Sequence, residues 1–278
     1  MIDLFYITNN VIEAQIVDGL DIDWIFIDLE CKGKKERQSG RNTVLSNHSI
    51  HDVDTIKNNI FNTKILVRCN PIGNWSNDEF NEINSRGKHI DMVMLPYFKS
   101  ADEVKSFINL LDLSSIEPAL LIETLDAINN LEEILKIFPF KYIHIGLNDL
   151  HIERGTDLIF EPFVDGLIEH ITKILKKNNQ NFGIGGIGKI GWDVSPTPEC
   201  LINEHLRLNS NGVILSRSFK GNFTKKLQVH FKKNLKKAVR DFRNYEKTAK
   251  NFTSKQLLES YELMKKDIHE TINDAQSI

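Results

Sequence analysis

Ala119-Leu-Leu-Ile-Glu-Thr124 and, after a helix-like segment, Tyr142-Ile-His-Ile-Gly-Leu-Asn-Asp149 are the stretches that decide the fold. Each opens with a short, continuous apolar run, and an acid stands just past it: Glu123 after the first, Asp149 after the second. A run without polar alternation is the pattern of a strand covered on both faces, as in parallel sheets with crossover helices outside. Between the two runs, Ile128, Leu131, Ile134 and Leu135 fall at helical spacing within Leu125–Ile137. The unit is therefore strand, helix, strand, with a carboxylate beyond each strand. In a parallel α/β architecture the C-terminal ends of successive strands open onto one face, where ligands and reactive groups collect. Two carboxylates there form half a site for a hard divalent cation, which prefers oxygen ligands.

The same unit extends in both directions. Strand-like runs occur at Leu4–Ile7, Trp24–Asp28, Ile65–Cys69, Met92–Leu95, Ala119–Ile122, Tyr142–Gly146, Phe182–Gly185 and Gly212–Leu215. Ala101–Leu111 follows a candidate N-cap, Ser100, and sets Val104, Phe107, Ile108 and Leu111 on one face. An open doubly wound sheet shows the same alternation. The count of eight strands, and polar groups after several different ones, favour a (β/α)8 TIM barrel over residues 1–222. Beyond Phe219 the composition shifts. Thr224–Lys250 has no Gly or Pro and is rich in Lys and Arg, with Leu227, Phe231, Leu235, Ala238, Phe242 and Tyr245 at spacings of three and four. A second helix is expected after Ser254, with Leu257, Leu258, Tyr261, Met264, Ile268 and Ile272 on its apolar face. Residues 223–278 thus read as a C-terminal helical extension whose seams need burial on the barrel or on another subunit. A homo-oligomer formed through these helices is the expectation.

Composition excludes several classes of function. The 278 residues are 41% hydrophobic and 26% charged with a net charge of -3, enough for a sizeable core and no argument for a nucleic-acid partner. The basic stretch Lys225–Lys250 lacks the exposed aromatic residues of a nucleic-acid platform. Apolar runs fall far short of the roughly 18 residues of a membrane span, and the N-terminus lacks the features of a signal peptide. Cys31, Cys69 and Cys200 are far apart with no CxxC pair, which argues against disulfides and zinc and fits a cytoplasmic location. No histidine pair has HExxH spacing.

Polar groups follow strand after strand: Asp28 and Glu30, then Arg68 with Asn70 and Pro71, then Glu123, then Asn148 and Asp149, and finally Arg217. On a barrel all of them converge on one mouth. The run Gly183-Ile-Gly-Gly-Ile-Gly188 has no Lys-Ser/Thr to make it a P-loop, and a tight turn is the better reading. His144, inside a strand, is expected to line the barrel.

Five stretches also carry a family resemblance: Ile25-Phe-Ile-Asp-Leu-Glu30, Val67-Arg-Cys-Asn70, Asp91-Met-Val-Met-Leu-Pro96, Leu121-Ile-Glu-Thr124 and Ile143-His-Ile-Gly-Leu-Asn-Asp-Leu150. In order and spacing, over about residues 3–220, the chain resembles the HpcH/HpaI aldolase and citrate lyase β-subunit family. The resemblance implies a phosphoenolpyruvate/pyruvate-type barrel that binds Mg²⁺ or Mn²⁺ and makes or breaks C–C bonds through a pyruvate- or acetyl-type enolate. It implies Glu123 and Asp149 as metal ligands. Arg68 would hold the carboxylate of a small substrate and steady the enolate oxygen. Asp28 would brace the mouth, Glu30 would orient Arg68 or a metal-bound water, and the backbone from Gly146 through Asn148 to Asp149 would cradle the remaining oxygens. One departure stands out: Cys31 occupies the position of a histidine that transfers protons in the aldolase branch. His48, His51 and an arginine-bearing loop around Gly33–Arg37 are the nearby groups to place. The reading is a metal-dependent carbon–carbon lyase acting on a small 2-oxo acid. The rival is a barrel that keeps the ligand site but has become a metabolite-binding or scaffolding protein.

Overall fold

The computed structural model describes residues 1–34, 47–221, 223 and 228–276, and its sheet is parallel throughout. The strands are β1 (Asp3–Ile7), β2 (Trp24–Asp28), β3 (Lys64–Arg68), β4 (Met92–Leu95), β5 (Glu117–Ile122), β6 (Tyr142–Ile145), β7 (Phe182–Ile184), β8 (Gly186–Ile187) and β9 (Gly212–Leu215). Their order is β7-β6-β5-β4-β3-β2-β1-β9-β8. The two end strands are consecutive in sequence, so the sheet closes on itself through Gly185. The seventh strand expected at Phe182–Gly185 is thus two short ones, the first paired with β6 and the second with β9. Gly185 makes the break at φ +52, a left-handed conformation, and a Cβ there would press on Leu147.

The helices are α1 (Val11–Asp18), α2 (His51–Lys57), α3 (Ser76–Asn84), α4 (Ala101–Leu110), α5 (Leu125–Asn129), α6 (Leu131–Ile134), α7 (Leu147–Arg154), α8 (Leu167–Lys177), α9 (Pro198–Leu208) and α10 (Arg217–Lys220). Ser100 caps α4 in a capping box with Glu103. The single helix expected over Leu125–Ile137 is broken at Asn130, whose side chain donates to the carbonyls of Lys99 and Asp126 and competes with the helical ladder.

Strand parity sorts the side chains. Outward residues pack under the helices as the main core. Inward residues Phe5, Trp24, Phe26, Leu66, Met92, Met94, Ala119, Leu121 and Tyr142 fill the barrel. The same alternation continued toward the C-terminal ends aims Asp28, Arg68, Glu123 and Gly146 inward, so an apolar plug below passes to a charged mouth above. Tyr142 stacks on Phe5, with ring centroids 5.1 Å apart, and its hydroxyl lies where Gly183 and Gly212 have no side chain. Gly183→Ala is therefore expected to destabilise the barrel by about 3 kcal/mol through overpacking. Adding Tyr142→Phe, which removes the overlapping oxygen, should recover part of the loss in thermal melts; no destabilisation by Gly183→Ala would contradict this packing.

Two long helices follow, α11 (Gln228–Ala249) and α12 (Ser254–Gln276). On α11, Phe231, Leu235, Ala238, Val239 and Phe242 are buried in the barrel's own outer core. Glu246 accepts the Ile2 N–H at 2.8 Å, while Arg243 donates to the Ile2 carbonyl and to the Asp23 carboxylate at 2.9 Å. This ties α11 to the N-terminal end of the sheet. Met264 and Ile268 of α12 are buried, and Asn203 of α9 donates to Ser260 at 2.9 Å. Leu258, expected on this apolar face, is 50% exposed; it lies one residue out of step with the Tyr261–Met264–Ile268–Ile272 seam. Leu227 lies outside the described residues. Apart from Leu258, the described residues of both seams are thus buried or half-buried within the chain. Among the described residues no helix is long and apolar enough to cross a membrane.

Candidate active site

Asp28 and Arg68 end neighbouring strands in direct register. The guanidinium grips the carboxylate side-on, Nε to Oδ1 at 2.8 Å and Nη2 to Oδ2 at 2.7 Å. Its Nη1 stands 3.3 Å from Oε2 of Glu30, a side chain with no solvent exposure. The Glu30 backbone N–H returns to Asp28 Oδ1 at 3.2 Å. A second cation completes the set: Nζ of Lys34 lies 2.9 Å from Glu30 Oε2 and 3.5 Å from Asp28 Oδ2, and Lys34 is itself buried. Two acids and two bases thus alternate within one cluster. Burial alone would raise the Asp28 carboxyl, but the adjacent Arg68, with help from Lys34, holds it well below the usual carboxylate range. Glu30 is held down by the same two cations against the same burial. Burial works against the Arg68 charge, yet Asp28 and Glu30 raise its affinity for its proton further.

Glu123, just past β5, is buried and accepts the backbone N–H of Tyr97 at 3.0 Å. Tyr97 adopts φ +48, a left-handed conformation that non-glycine residues seldom take, and it aims this N–H into the mouth. Gly146, just past β6, sits beside Glu123: a Cβ there would be 2.9 Å from Oε2. Its lack of a side chain makes room for the carboxylate. Asp149 is buried in the first turn of α7, where the helix dipole favours a negative charge. No side chain caps that helix start at Gly146. Asn148 on the same turn is exposed. Glu123 and Asp149 are oxygen donors on neighbouring strand ends. Among the described residues no cluster of three His, Cys, Asp or Glu is arranged to hold a metal. A two-carboxylate set fits Mg²⁺ or Mn²⁺, which keep several water or substrate oxygens in their coordination sphere.

The structure separates the candidate histidines. The ring of His48 accepts the Asp28 backbone N–H through Nδ1 at 2.9 Å, at the mouth and past the end of β1. Its Nε2 therefore carries the ring hydrogen. His51 instead meets Arg86, 3.2 Å away, at the start of α2. Cys31 is exposed, and its backbone N–H and that of Lys32 both donate to Oδ1 of Asn70, at 2.8 and 2.9 Å. Glu79 holds Asn70 in turn. Arg37 lies outside the described residues. Arg217 is exposed at the start of α10.

His144 lines the barrel below the mouth as expected. The Tyr142 hydroxyl donates to Nδ1 and Nε2 donates to the Gly185 carbonyl, each at 2.9 Å. Burial pushes its pKa down to about 4, and burial pushes that of His205 down to about 3. Depressed values mean that the unfolded chain binds these protons first. Stability is therefore full above the ordinary histidine value of about 6.5 and falls as pH drops toward the folded values. Between pH 7 and pH 5 the loss should be about 2 kcal/mol per histidine. Urea denaturation at the two pH values checks this, and equal stability would show that neither histidine is held neutral.

Two contributors escaped the sequence reading. Lys34 carried only the weak signal of standing four residues after Glu30. The Tyr97 N–H left no trace, because a backbone conformation is not written in residue type.

The family model for HpcH/HpaI aldolase/citrate lyase matches residues 2–159, a span that contains Asp28, Glu30, Arg68, Glu123 and Asp149. No curated protein matches the chain. Several solved structures share the fold. The HpcH/HpaI aldolase from Desulfitobacterium hafniense DCB-2 aligns with a TM-score of 0.57 at 13% identity, covering 84% of this chain and 92% of that one. An HpcH/HpaI aldolase/citrate lyase family protein from Burkholderia cenocepacia J2315 gives 0.56 at 13% identity, covering 87% and 95%. Citrate synthase SbnG gives 0.55 at 12% identity, covering 87% and 94%. At these identities the likeness is one of fold.

Proposed function

Because the chain belongs to the HpcH/HpaI aldolase/citrate lyase family, we propose that it is a divalent-metal-dependent carbon–carbon lyase of aldolase type, acting on a small 2-oxo acid or related carboxylate through an enolate. Membership supports an aldolase-type lyase in general; the metal and the substrate are our reading of the mouth. The observation that carries it is how Arg68 is held. Asp28 occupies the Nε/Nη2 edge of the guanidinium and Glu30 Oε2 stands 3.3 Å from Nη1, so the group is fixed at the end of β3, and a substrate carboxylate would take the remaining Nη N–H groups beside Glu30. A carboxylate bound there would be gripped by a charge that cannot be titrated away. Glu123 and Asp149 would hold Mg²⁺ or Mn²⁺. When bound, the cation supplies Lewis-acid stabilisation of the negative charge that develops on the keto oxygen. The Gly146 N–H already donates to the Ile122 carbonyl at 2.8 Å, so the N–H groups that follow it in the first turn of α7, around Asn148, would receive the remaining oxygens. Asp28 and Glu30 would act by fixing Arg68.

Exchange of the pyruvate C3 protons in D₂O, followed by NMR with Mn²⁺ present, tests enolate formation directly. Exchange above the protein-free rate is expected. Its absence in protein that still binds Mn²⁺ and pyruvate would favour the rival reading, a metabolite-binding barrel without lyase chemistry.

A further inference from the structure

Arg68 alone faces two buried carboxylates, Asp28 and Glu30. A lone guanidinium between them would leave the cluster with one surplus negative charge, pointed at the place where an anionic substrate must dock. Lys34 removes that surplus. Its Nζ contacts the same two carboxylate oxygens, Asp28 Oδ2 and Glu30 Oε2, that stand next to Arg68 Nη2 and Nη1. Lysine is seldom buried unless paired, and Lys34 is 6% exposed, so it contacts the acids and not the solvent side of the mouth. We infer that Lys34 is a positioning residue for anion binding: by sharing Asp28 and Glu30 with Arg68, it leaves more of the Arg68 charge to attract a substrate carboxylate. This rests on the carboxylate-binding role proposed above for Arg68 and adds a residue to it.

Calorimetric titration with oxalate, in the presence of Mn²⁺, tests the inference on the full-length protein. Lys34→Met should weaken oxalate binding by about tenfold or more, as expected for an uncompensated charge a few ångströms away at low effective dielectric. Lys34→Arg should stay within about threefold of wild type. The double variant Glu30→Gln/Lys34→Met, which removes one charge of each sign, should recover most of the loss; a purely structural role for Lys34 would show as a fall in melting temperature of Lys34→Met with no loss of oxalate affinity in the folded protein. If Lys34→Met does not fold, the double variant carries the test, since it leaves no charge unpaired. Oxalate affinity within about twofold of wild type in folded Lys34→Met, or a tenfold loss that persists in the double variant, overturns the inference. Arg68→Met separates the two layers of the argument. If it binds oxalate as wild type does, or if wild type itself does not bind, the carboxylate role of Arg68 falls and the role of Lys34 falls with it. If Arg68→Met loses oxalate while Lys34→Met keeps it, only the role of Lys34 is refuted.

Discussion

Glu123→Gln and Asp149→Asn are each expected to abolish Mn²⁺ binding in calorimetry and to lower kcat/KM by about a thousandfold or more, the scale of losing the charge stabilisation that a metal provides. Both substitutions keep the size and shape of the side chain, remove the negative charge and turn one acceptor oxygen into an amide donor. The surroundings make them clean tests. Glu123 takes the Tyr97 N–H at 3.0 Å, a bond that a glutamine oxygen also accepts. Asp149 sits in the first turn of α7, where replacing the charge costs only a few tenths to about 1 kcal/mol of dipole interaction. A fall in thermal stability large enough to account for lost activity is therefore not expected. Unchanged Mn²⁺ affinity in both variants would remove the metal assignment altogether, whatever happened to turnover.

Arg68→Lys should lower kcat/KM by about a hundredfold or more while leaving Mn²⁺ affinity within a few-fold of wild type. The charge survives this change and the geometry does not. Lysine has one ammonium in place of a planar fork, so it cannot satisfy Asp28 with two parallel bonds and keep further N–H groups for a substrate. The loss should appear mainly in KM if Arg68 only binds the carboxylate. It should appear in kcat as well if the same groups steady charge developing during the reaction. Wild-type kinetics in Arg68→Lys would show that Arg68 serves only as a partner for Asp28.

Much of this molecule was legible in its sequence, for identifiable reasons. The continuous apolar runs named the strands because a barrel strand is covered on both faces. Glu123 was legible because period-two alternation fixes which way the residue after β5 points; Asp149, on the first turn of α7, was legible from its motif and not from strand alternation. What resisted was closure and context. The break at Gly185 was hidden, since a glycine-rich run reads equally well as one strand end or two short strands. The interruption at Asn130 lay inside good helical periodicity. Lys34 was seen in its segment but given no role, because lysine is normally a surface residue and only the fold turns it back onto Asp28 and Glu30. Leu258 was misplaced by a single position on a helix face, where one residue is worth about 100° of rotation.

The bond between the Ile2 N–H and Glu246 spans 244 positions of the chain. It has a consequence for how the molecule is made. The first strand finds one neighbour early, in β2, but its other neighbour, β9, and the carboxylate that secures its start are among the later parts to be synthesised. On a ribosome the nascent sheet must therefore wait, with one long edge unsatisfied, until the C-terminal region emerges. The barrel's integrity is decided only once α11 has been made, and a chain stopped before α11 would have a ring of strands and no latch.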